Sequence, residues 1–145
     1  MVSACLVGAP CRYDGGSCLD PRLLKLLGEG KLLPVCPEQL GGLPTPRPAA
    51  ELTGGDGAAL LEGKAKVLTR EGKDLSAAFR RGAEAALALA RAAGVKRALL
   101  KEGSPSCGSR QVHDGAFSGI RVPGAGVTTA LLRRHGIKVS PGKSL

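Results

Sequence analysis

Three cysteines of this 145-residue chain stand where an apolar run gives way to a loop, and their thiols are the groups best suited to chemistry. Cys5 closes the run 1–5, Cys36 closes the run 31–36, and Cys107 lies in the turn-rich loop after the run 95–100. If these runs are parallel strands, their carboxyl ends form the sheet edge where ligands bind. Because thiolates are nucleophiles and ligands for soft metals, the pattern indicates metal or redox chemistry.

The same cysteines have a simpler interpretation as core residues. Free cysteine packs like a small hydrophobic residue, and Cys5 and Cys36 taken alone fit that role. Cys107 fits it less well because it lies among polar residues. Three thiolates are too few for a closed structural zinc site and suit a metal or cluster with one open position. Zinc would need either Cys11 or Cys18, both on the loop after Cys5, as its fourth ligand.

Two polar residues lie near these cysteines in the sequence and are candidate catalytic groups. Glu38 follows Cys36 by two residues, and Ser104 precedes Cys107 by three. A carboxylate beside a metal centre can act as a general base on water, and a hydroxyl can relay a proton. The simpler alternatives are a surface ion pair between Glu38 and an arginine, and a turn capped by Ser104.

Arg12, Tyr13 and Asp14 form a third candidate group, for substrate binding, and include the only tyrosine of the chain. A flat ring and a guanidinium can hold a planar heterocycle by stacking and hydrogen bonding. Alternatively, Arg12 and Asp14 pair with each other and brace the Asp-Gly turn at 14–15. The residue pattern favours neither interpretation.

Length and composition narrow the classes of protein. We expect one domain over residues 1–145, with a core mostly of Leu, Val and Ala, since Trp is absent and Phe and Tyr are rare. No run approaches the roughly 18 apolar residues of a membrane span, and no signal-like segment is visible, so we expect a cytoplasmic protein. Five cysteines then favour metal or redox chemistry over disulfides. The net charge of +9 is compatible with an anionic ligand, although no arginine-rich stripe marks an RNA-binding face.

Strands and helices are predicted to alternate along the chain. The predicted strands are 1–5, 31–36, 95–100 and 137–140, and the predicted helices are 22–27, 74–93 and 126–135. Asp20 and Asp74 are the predicted N-caps of the first two helices. The proline-rich segment 37–57 and the segment 111–123 are predicted to be irregular, and 64–69 to be a short strand paired with the stretch before it. This order predicts an α/β fold with a Rossmann-like or flavodoxin-like parallel sheet, helices on both faces and ligands at its carboxyl edge.

Four short motifs occur in order along the chain: Val-Ser-Ala-Cys-Leu at 2–6, Arg-Tyr-Asp-Gly-Gly at 12–16, Val-Cys-Pro-Glu at 35–38 and Ser-Pro-Ser-Cys-Gly at 104–108. Together they resemble the thiouracil desulfidase family. The resemblance covers essentially the whole chain and includes the segment 41–47 and the start of the last predicted helix. One departure is Gly103, which stands where a larger, often polar residue is expected.

The resemblance implies a 4Fe–4S cluster held by Cys5, Cys36 and Cys107, with a fourth iron free to take sulfur from a thiolated pyrimidine. It implies that Glu38 activates water and that Ser104 aids proton transfer, so that C=S becomes C=O and sulfide is released without net redox. The expected substrate is a small-molecule thiopyrimidine or thionucleotide, and no membrane partner is expected. The alternatives are a zinc-dependent or thiol-based redox protein that uses the same cysteines and, ranked last, a basic RNA-binding module.

Overall fold

Short strands and helices alternate along residues 1–142, the part of the chain described by the structure, which is a computed structural model. The strands are β1 (Val2–Ser3), β2 (Pro34–Val35), β3 (Ala50–Thr53), β4 (Lys66–Thr69), β5 (Arg97–Leu100), β6 (Gln111–His113), β7 (Arg121–Pro123) and β8 (Lys138–Pro141). The helices are α1 (Pro21–Gly28), α2 (Pro37–Leu40), α3 (Gly57–Leu61), α4 (Ser76–Ala92) and α5 (Val127–Arg134). A 3₁₀ turn over Ala4–Val7 follows β1. Within residues 1–142, no helix has the length and apolar character to cross a membrane.

Four parallel strands form the central sheet, in the spatial order β2-β1-β5-β8. Each neighbouring pair is parallel, as the sequence order of strands and helices predicts. The chain moves outward from β1 to β2 and then returns to place β5 on the other side of β1. This reversal creates a topological switch point at the carboxyl ends of β1 and β5, which is where open α/β sheets bind ligands. The predicted α/β class, with a parallel sheet and helices on both faces, is confirmed.

Helices cover both faces of this sheet because alternate strand residues point to opposite sides. On one face, Leu100 is fully buried in a cluster with Leu87 of α4 and Leu132 of α5. On the other face, Val2 is fully buried in a cluster with Leu23 of α1. Burying a side chain of this size contributes about 1.5–3 kcal/mol, so these contacts fix the sheet between its helices.

Two antiparallel ladders extend the structure beyond the central sheet. The predicted strand at 64–69 is confirmed as β4, which pairs with β3 so that Leu52 lies opposite Val67. Both residues are buried in a cluster with Phe79 of α4. The second ladder joins β6 and β7 within the segment 111–123, which was wrongly predicted to be a loop.

The proline-rich segment 37–57 is more regular than predicted, since it contains α2 and β3. Pro37 occupies the first position of α2, where a helix has no intrahelical use for the missing N–H group. β3 begins only after Pro48, so no proline interrupts its ladder. Prolines therefore border these elements without preventing them.

Helix starts follow the sequence signals in one case and depart from them in another. Asp20 caps α1, because its carboxylate accepts the backbone N–H of Arg22 at 3.0 Å. The predicted cap Asp74 is wrong by one position, since α4 begins at Ser76 with Leu75 as its cap residue. Asp74 still accepts the N–H of Ser76 at 2.8 Å, so it closes a turn just before the helix.

Candidate active site

A cleft of about 490 Å³ opens beside the carboxyl ends of β1, β2 and β5. Cys5, Cys36 and Cys107 all line it, together with Cys11. The three strands are neighbours in the sheet, so the loops that follow them necessarily meet. Cys5 and Cys107, which are 102 positions apart in the sequence, therefore share one cavity.

Cys5 lies in the 3₁₀ turn that follows β1, whereas the sequence predicted that it would end the strand. β1 stops at Ser3, and Gly8 closes the turn with φ +98°, a left-handed conformation that favours glycine. The backbone carbonyl of Cys5 accepts the N–H of Cys18 at 2.9 Å. The turn and this bond hold the first thiol against the sheet edge.

Cys36 occupies the junction between β2 and α2 and is the residue that caps the helix. Its carbonyl accepts the N–H of Leu40 at 2.9 Å. Two glycines bring α2 into direct backbone contact with α4. A Cβ atom at Gly82 would lie 1.9 Å from the Pro37 oxygen, and one at Gly41 would lie 2.1 Å from the Ala78 oxygen. Only glycine permits this approach, which fixes the position of the helix that follows Cys36.

The loop that carries Cys107 is closed by Ser104. The Ser104 hydroxyl oxygen accepts the N–H of Ser106 at 3.0 Å and that of Cys107 at 3.1 Å. Ser104 therefore does cap a turn, and it also lines the cleft. Since the oxygen acts as an acceptor in both bonds, the hydroxyl proton stays available to a group in the cleft.

The first turn of α5 supports the same loop from behind. The backbone N–H groups of Val127 and Thr128 donate to the carbonyls of Pro105 and Ser106 at 2.8 and 2.9 Å. These N–H groups have no partner within the helix, so the loop satisfies them. The hydroxyl of Thr129 donates to the Cys107 carbonyl at 3.0 Å. The Cys107 loop and the start of α5 thus form one hydrogen-bonded unit.

Glu102, which sequence reasoning missed, organises the chain on the other side of Cys107. Its carboxylate accepts the N–H groups of Ser109, Arg110 and Gln111 at 2.9–3.0 Å and the Ser109 hydroxyl at 2.9 Å. Burial opposes ionisation of this carboxyl group, but the hydrogen bonds from Gln111, Arg110 and Ser109 outweigh it and lower its pKa. No local sequence pattern signals this role, because the partners follow seven to nine residues later.

The thiols of the cleft are close enough to affect one another's ionisation. The pKa of Cys5 is raised to about 12, first by burial and then by the neighbouring Cys107, Cys18 and Cys36, while Lys101 opposes the shift. Burial likewise raises the pKa of Cys107 to about 12. Within residues 1–142, no three His, Cys, Asp or Glu side chains converge on a site for a single metal ion. The thiols are thus neighbours around a cavity and do not form a tight chelate.

Glu38 lies in the first turn of α2 and lines the cleft. It makes an ion pair with Arg47, whose Nε donates to Glu38 Oε2 at 2.7 Å. The pairing with an arginine that the sequence suggested as an alternative is therefore present. It is not a surface pair, however, because the Arg47 side chain is only 4% exposed and the Glu38 side chain 15%.

The three candidate substrate-binding residues do not share one position. Arg12 and Tyr13 line the cleft, and the Arg12 guanidinium lies 5.8 Å from the centre of the Tyr13 ring. Asp14 is not among the residues lining the cleft; its carboxylate is exposed and accepts the N–H of Gly16 at 2.9 Å. Asp14 also lies 3.9 Å from the Arg12 Nε, so the bracing of the turn is observed.

Comparison with known proteins supplies the context for this cleft. A family model for the 2-thiouracil desulfurases matches residues 1–143. This chain belongs to the 2-thiouracil desulfurase family. It is 44% identical to the uncharacterized protein YbbK of Bacillus subtilis (strain 168) over 139 residues, which are 96% of this chain and 92% of YbbK. It also resembles the solved structure of the 4Fe-4S-dependent thiouracil desulfidase TudS, with a TM-score of 0.88 and 51% identity over 99% of this chain and 90% of that one.

The outer wall of the cleft comes from the two antiparallel ladders and the loops beside them. Glu51 of β3 accepts the N–H groups of Gly115 and Phe117 at 3.0 and 3.1 Å. Phe117 has φ +55°, and its ring lies 5.3 Å from the Arg70 guanidinium. Sequence reasoning missed these residues because only the pairing of distant segments brings them to the cleft.

The structure of this wall explains why glycine stands at position 103, where the family pattern leads us to expect a larger residue. Its φ of +82° disfavours any side chain, and a Cβ atom there would lie 2.8 Å from Arg121 Cζ. The guanidinium of Arg121, which lines the cleft, therefore fills the space that a larger residue would occupy.

Proposed function

We propose that this protein replaces the sulfur of a thiolated pyrimidine by oxygen, using a 4Fe–4S cluster held by Cys5, Cys36 and Cys107. The observation that carries the proposal is that these three thiols line one cleft together with Glu38 and Ser104. Membership of the 2-thiouracil desulfurase family, and the similarity to a 4Fe-4S-dependent desulfidase, support it.

The donor set suits a polynuclear cluster. A single ion needs its ligands to converge on one point, and within residues 1–142 they do not. A four-iron cluster takes one thiolate for each iron, so three thiols spaced around a cavity can hold it. When bound, the cluster supplies one iron without a protein thiolate, and such a soft Lewis acid favours the sulfur of a thiocarbonyl.

The polar residues account for the oxygen and the protons. The reaction takes up one water and converts C=S and H₂O into C=O and H₂S, so no oxidant or reductant is consumed. Glu38 has a carboxylate in the cleft and accepts a proton from the attacking water. Ser104 passes a proton to the departing sulfur, since its oxygen is occupied as an acceptor and its hydroxyl proton is available.

Arg12 and Tyr13 are proposed to hold the pyrimidine. Both line the cleft on the loop that also contributes Cys11. A guanidinium beside a phenol ring offers hydrogen-bond donors and a flat face for a planar heterocycle. The substrate is thus a small-molecule thiopyrimidine, as a free base or a nucleotide.

Anaerobic reconstitution tests the proposal. Iron and acid-labile sulfide are counted, and sulfide release is then measured with thiouracil, a thionucleoside and a thionucleotide. We expect about four irons per chain and sulfide release from at least one of the three substrates. Stoichiometric zinc with no iron uptake, or a loaded cluster without sulfide release from any substrate, would overturn the proposal.

A further inference from the structure

Arg47 is a buried arginine in the wall of the cleft. Its side chain is 4% exposed and donates to four other residues. These partners are the Glu38 carboxylate, the Cys11 carbonyl at 2.8 Å, the Thr45 hydroxyl at 2.9 Å and the Pro44 carbonyl at 3.2 Å. A guanidinium bound on all sides has a fixed orientation, so whatever it holds is fixed as well.

The pairing between Arg47 and Glu38 is one-sided. Both Nε and Nη2 of Arg47 approach Glu38 Oε2. Within residues 1–142, no hydrogen bond reaches Glu38 Oε1. One carboxylate oxygen is therefore committed to Arg47, and the other stays free in a residue that lines the cleft.

The same guanidinium also ties Glu38 to the loop that carries Cys11. Arg47 Nη2 donates to the Cys11 carbonyl at 2.8 Å, and Cys11 lines the cleft. The backbone N–H of Arg47 donates to the Tyr13 carbonyl at 2.8 Å. Through Arg47, the Glu38 carboxylate is consequently held against the loop that brings Cys11 and Tyr13 to the cleft.

We propose that Arg47 is a positioning residue that orients Glu38, so that Oε1 alone is presented to water in the cleft. The inference rests on the proposed function, in which Glu38 activates that water. A lysine cannot replace Arg47 in this role, because a single ammonium cannot contact Glu38, Cys11 and the 44–45 segment in a fixed plane.

The first test compares Arg47→Lys with a matched control, Arg81→Lys. Arg81 donates to the Gly41 carbonyl at 3.1 Å, so it supports the end of α2 without touching Glu38. We expect Arg47→Lys to keep its iron and to lose about 10²-fold in kcat with KM nearly unchanged, since misplacing a reacting group costs that much. Arg81→Lys should retain the wild-type kcat. An equal loss in both variants, or loss of iron in Arg47→Lys, would assign Arg47 a merely structural role.

A double-mutant cycle with Glu38→Gln separates this inference from the proposed function. If Arg47 acts through Glu38, adding Arg47→Lys to Glu38→Gln should cause no further loss of kcat. A further loss as large as that of the single variant would overturn the inference and leave the proposed function intact. Full activity in Glu38→Gln would refute the role of Glu38 itself, and with it the inference.

The stability of the four cluster-free proteins of this cycle gives a readout that is independent of activity. They are the wild type, Arg47→Lys, Glu38→Gln and the double variant. Urea unfolding should show that the two substitutions together destabilise the fold by less than the sum of their separate effects, because they break one shared contact. Strict additivity would contradict the pairing. If Arg47→Lys does not fold, Thr45→Val takes its place in the cycle. It removes the Nη1 contact at 2.9 Å, and its kcat loss should likewise vanish in the Glu38→Gln background.

Discussion

Among the residues of the cleft, Cys107 provides the most direct test of which side chains bind the cluster. We expect Cys107→Ala to lose iron and to lower sulfide release at least about tenfold, since two remaining thiolates hold a cluster poorly. Cys18→Ser is the control, because Cys18 lies outside the cleft lining and its thiol accepts a hydrogen bond from Arg12 at 2.9 Å. Iron content and activity after anaerobic reconstitution are measured side by side. Iron retained in Cys107→Ala, or lost from Cys18→Ser, would contradict the ligand assignment.

Glu38 and Ser104 should behave differently from the cysteines. We expect Glu38→Gln to keep the cluster absorbance and to lose about 10²–10⁴-fold in sulfide release, the range typical of general acid–base catalysis. Ser104→Ala should lose less activity, since water can replace a hydroxyl relay. It should also lower the free energy of unfolding by about 1 kcal/mol, because two backbone N–H groups lose their acceptor. Near-wild-type turnover in Glu38→Gln would remove it from the mechanism.

The residues of the site differ in how far the sequence alone could predict them. Glu38 and Ser104 were accessible because they lie within three positions of a cysteine. Arg47 was not, since its bond to the Cys11 carbonyl spans 36 positions and depends on how the loops fold. The Arg12-Tyr13-Asp14 group was predicted as a unit, but backbone direction in the turn takes Asp14 away from the cleft. Local spacing predicts neighbours of the cysteines, whereas contacts between loops require the tertiary structure.

At the scale of elements, the contact between α2 and α4 depends on glycine. We expect Gly82→Ala to lower the free energy of unfolding by about 1–3 kcal/mol, as overpacking of a core usually does, because the new methyl group meets the Pro37 carbonyl. It should also reduce sulfide release, since α2 carries Glu38. The control is Gly28→Ala in α1, where a Cβ atom has no neighbour within 4 Å. Equal thermal stability of the two variants would show that the helices separate without cost.

The hydrogen bonds to Glu102 predict how stability depends on pH. Because its pKa in the folded protein is lowered from the ordinary 4.5, its contribution is complete above pH 4.5 and is lost as the pH falls through the lowered value. We expect Glu102→Gln to be less stable than the wild type at pH 7, with a smaller difference in acid. Urea unfolding over a pH series measures this. Glu71→Gln in an exposed turn is the control, and a wild-type-like pH profile in Glu102→Gln would refute the prediction.

The helices and strands that the sequence patterns did not predict have a physical property in common, which is that they are short. The apolar runs predicted the strands of the parallel sheet, and the helical periodicity of α4 predicted a helix that covers it. α2 is only four residues long, and β6 and β7 three each, so no periodic pattern can build up. β7 is also exposed throughout, which removes the apolar signal of a strand. Short elements of this kind are fixed by pairing and packing, which single-sequence patterns do not contain.

For the molecule as a whole, the cluster is expected to act as a structural tie. Its proposed ligands lie at positions 5, 36 and 107, so the folded chain should bind it far better than the unfolded chain does. A group that binds only the folded state stabilises it by mass action. We expect removal of the iron by anaerobic chelation to lower Tm in the wild type and to leave the Tm of cluster-free Cys107→Ala unchanged. Identical Tm values for the loaded and chelated wild type would contradict this.

The hydrogen bonds between the Cys107 loop and α5 also affect the order in which the site can form during synthesis of the chain. β1 leaves the ribosome first, yet one of its neighbours in the sheet is β5, made almost a hundred residues later. The loop that carries Cys107 cannot complete its hydrogen bonds until the N–H groups at 127 and 128 have also been made. On the proposed ligand assignment, a nascent chain thus exposes Cys5 and Cys36 before Cys107 is in place to complete the set. We therefore expect the chain to acquire its cluster only after α5 has emerged from the ribosome.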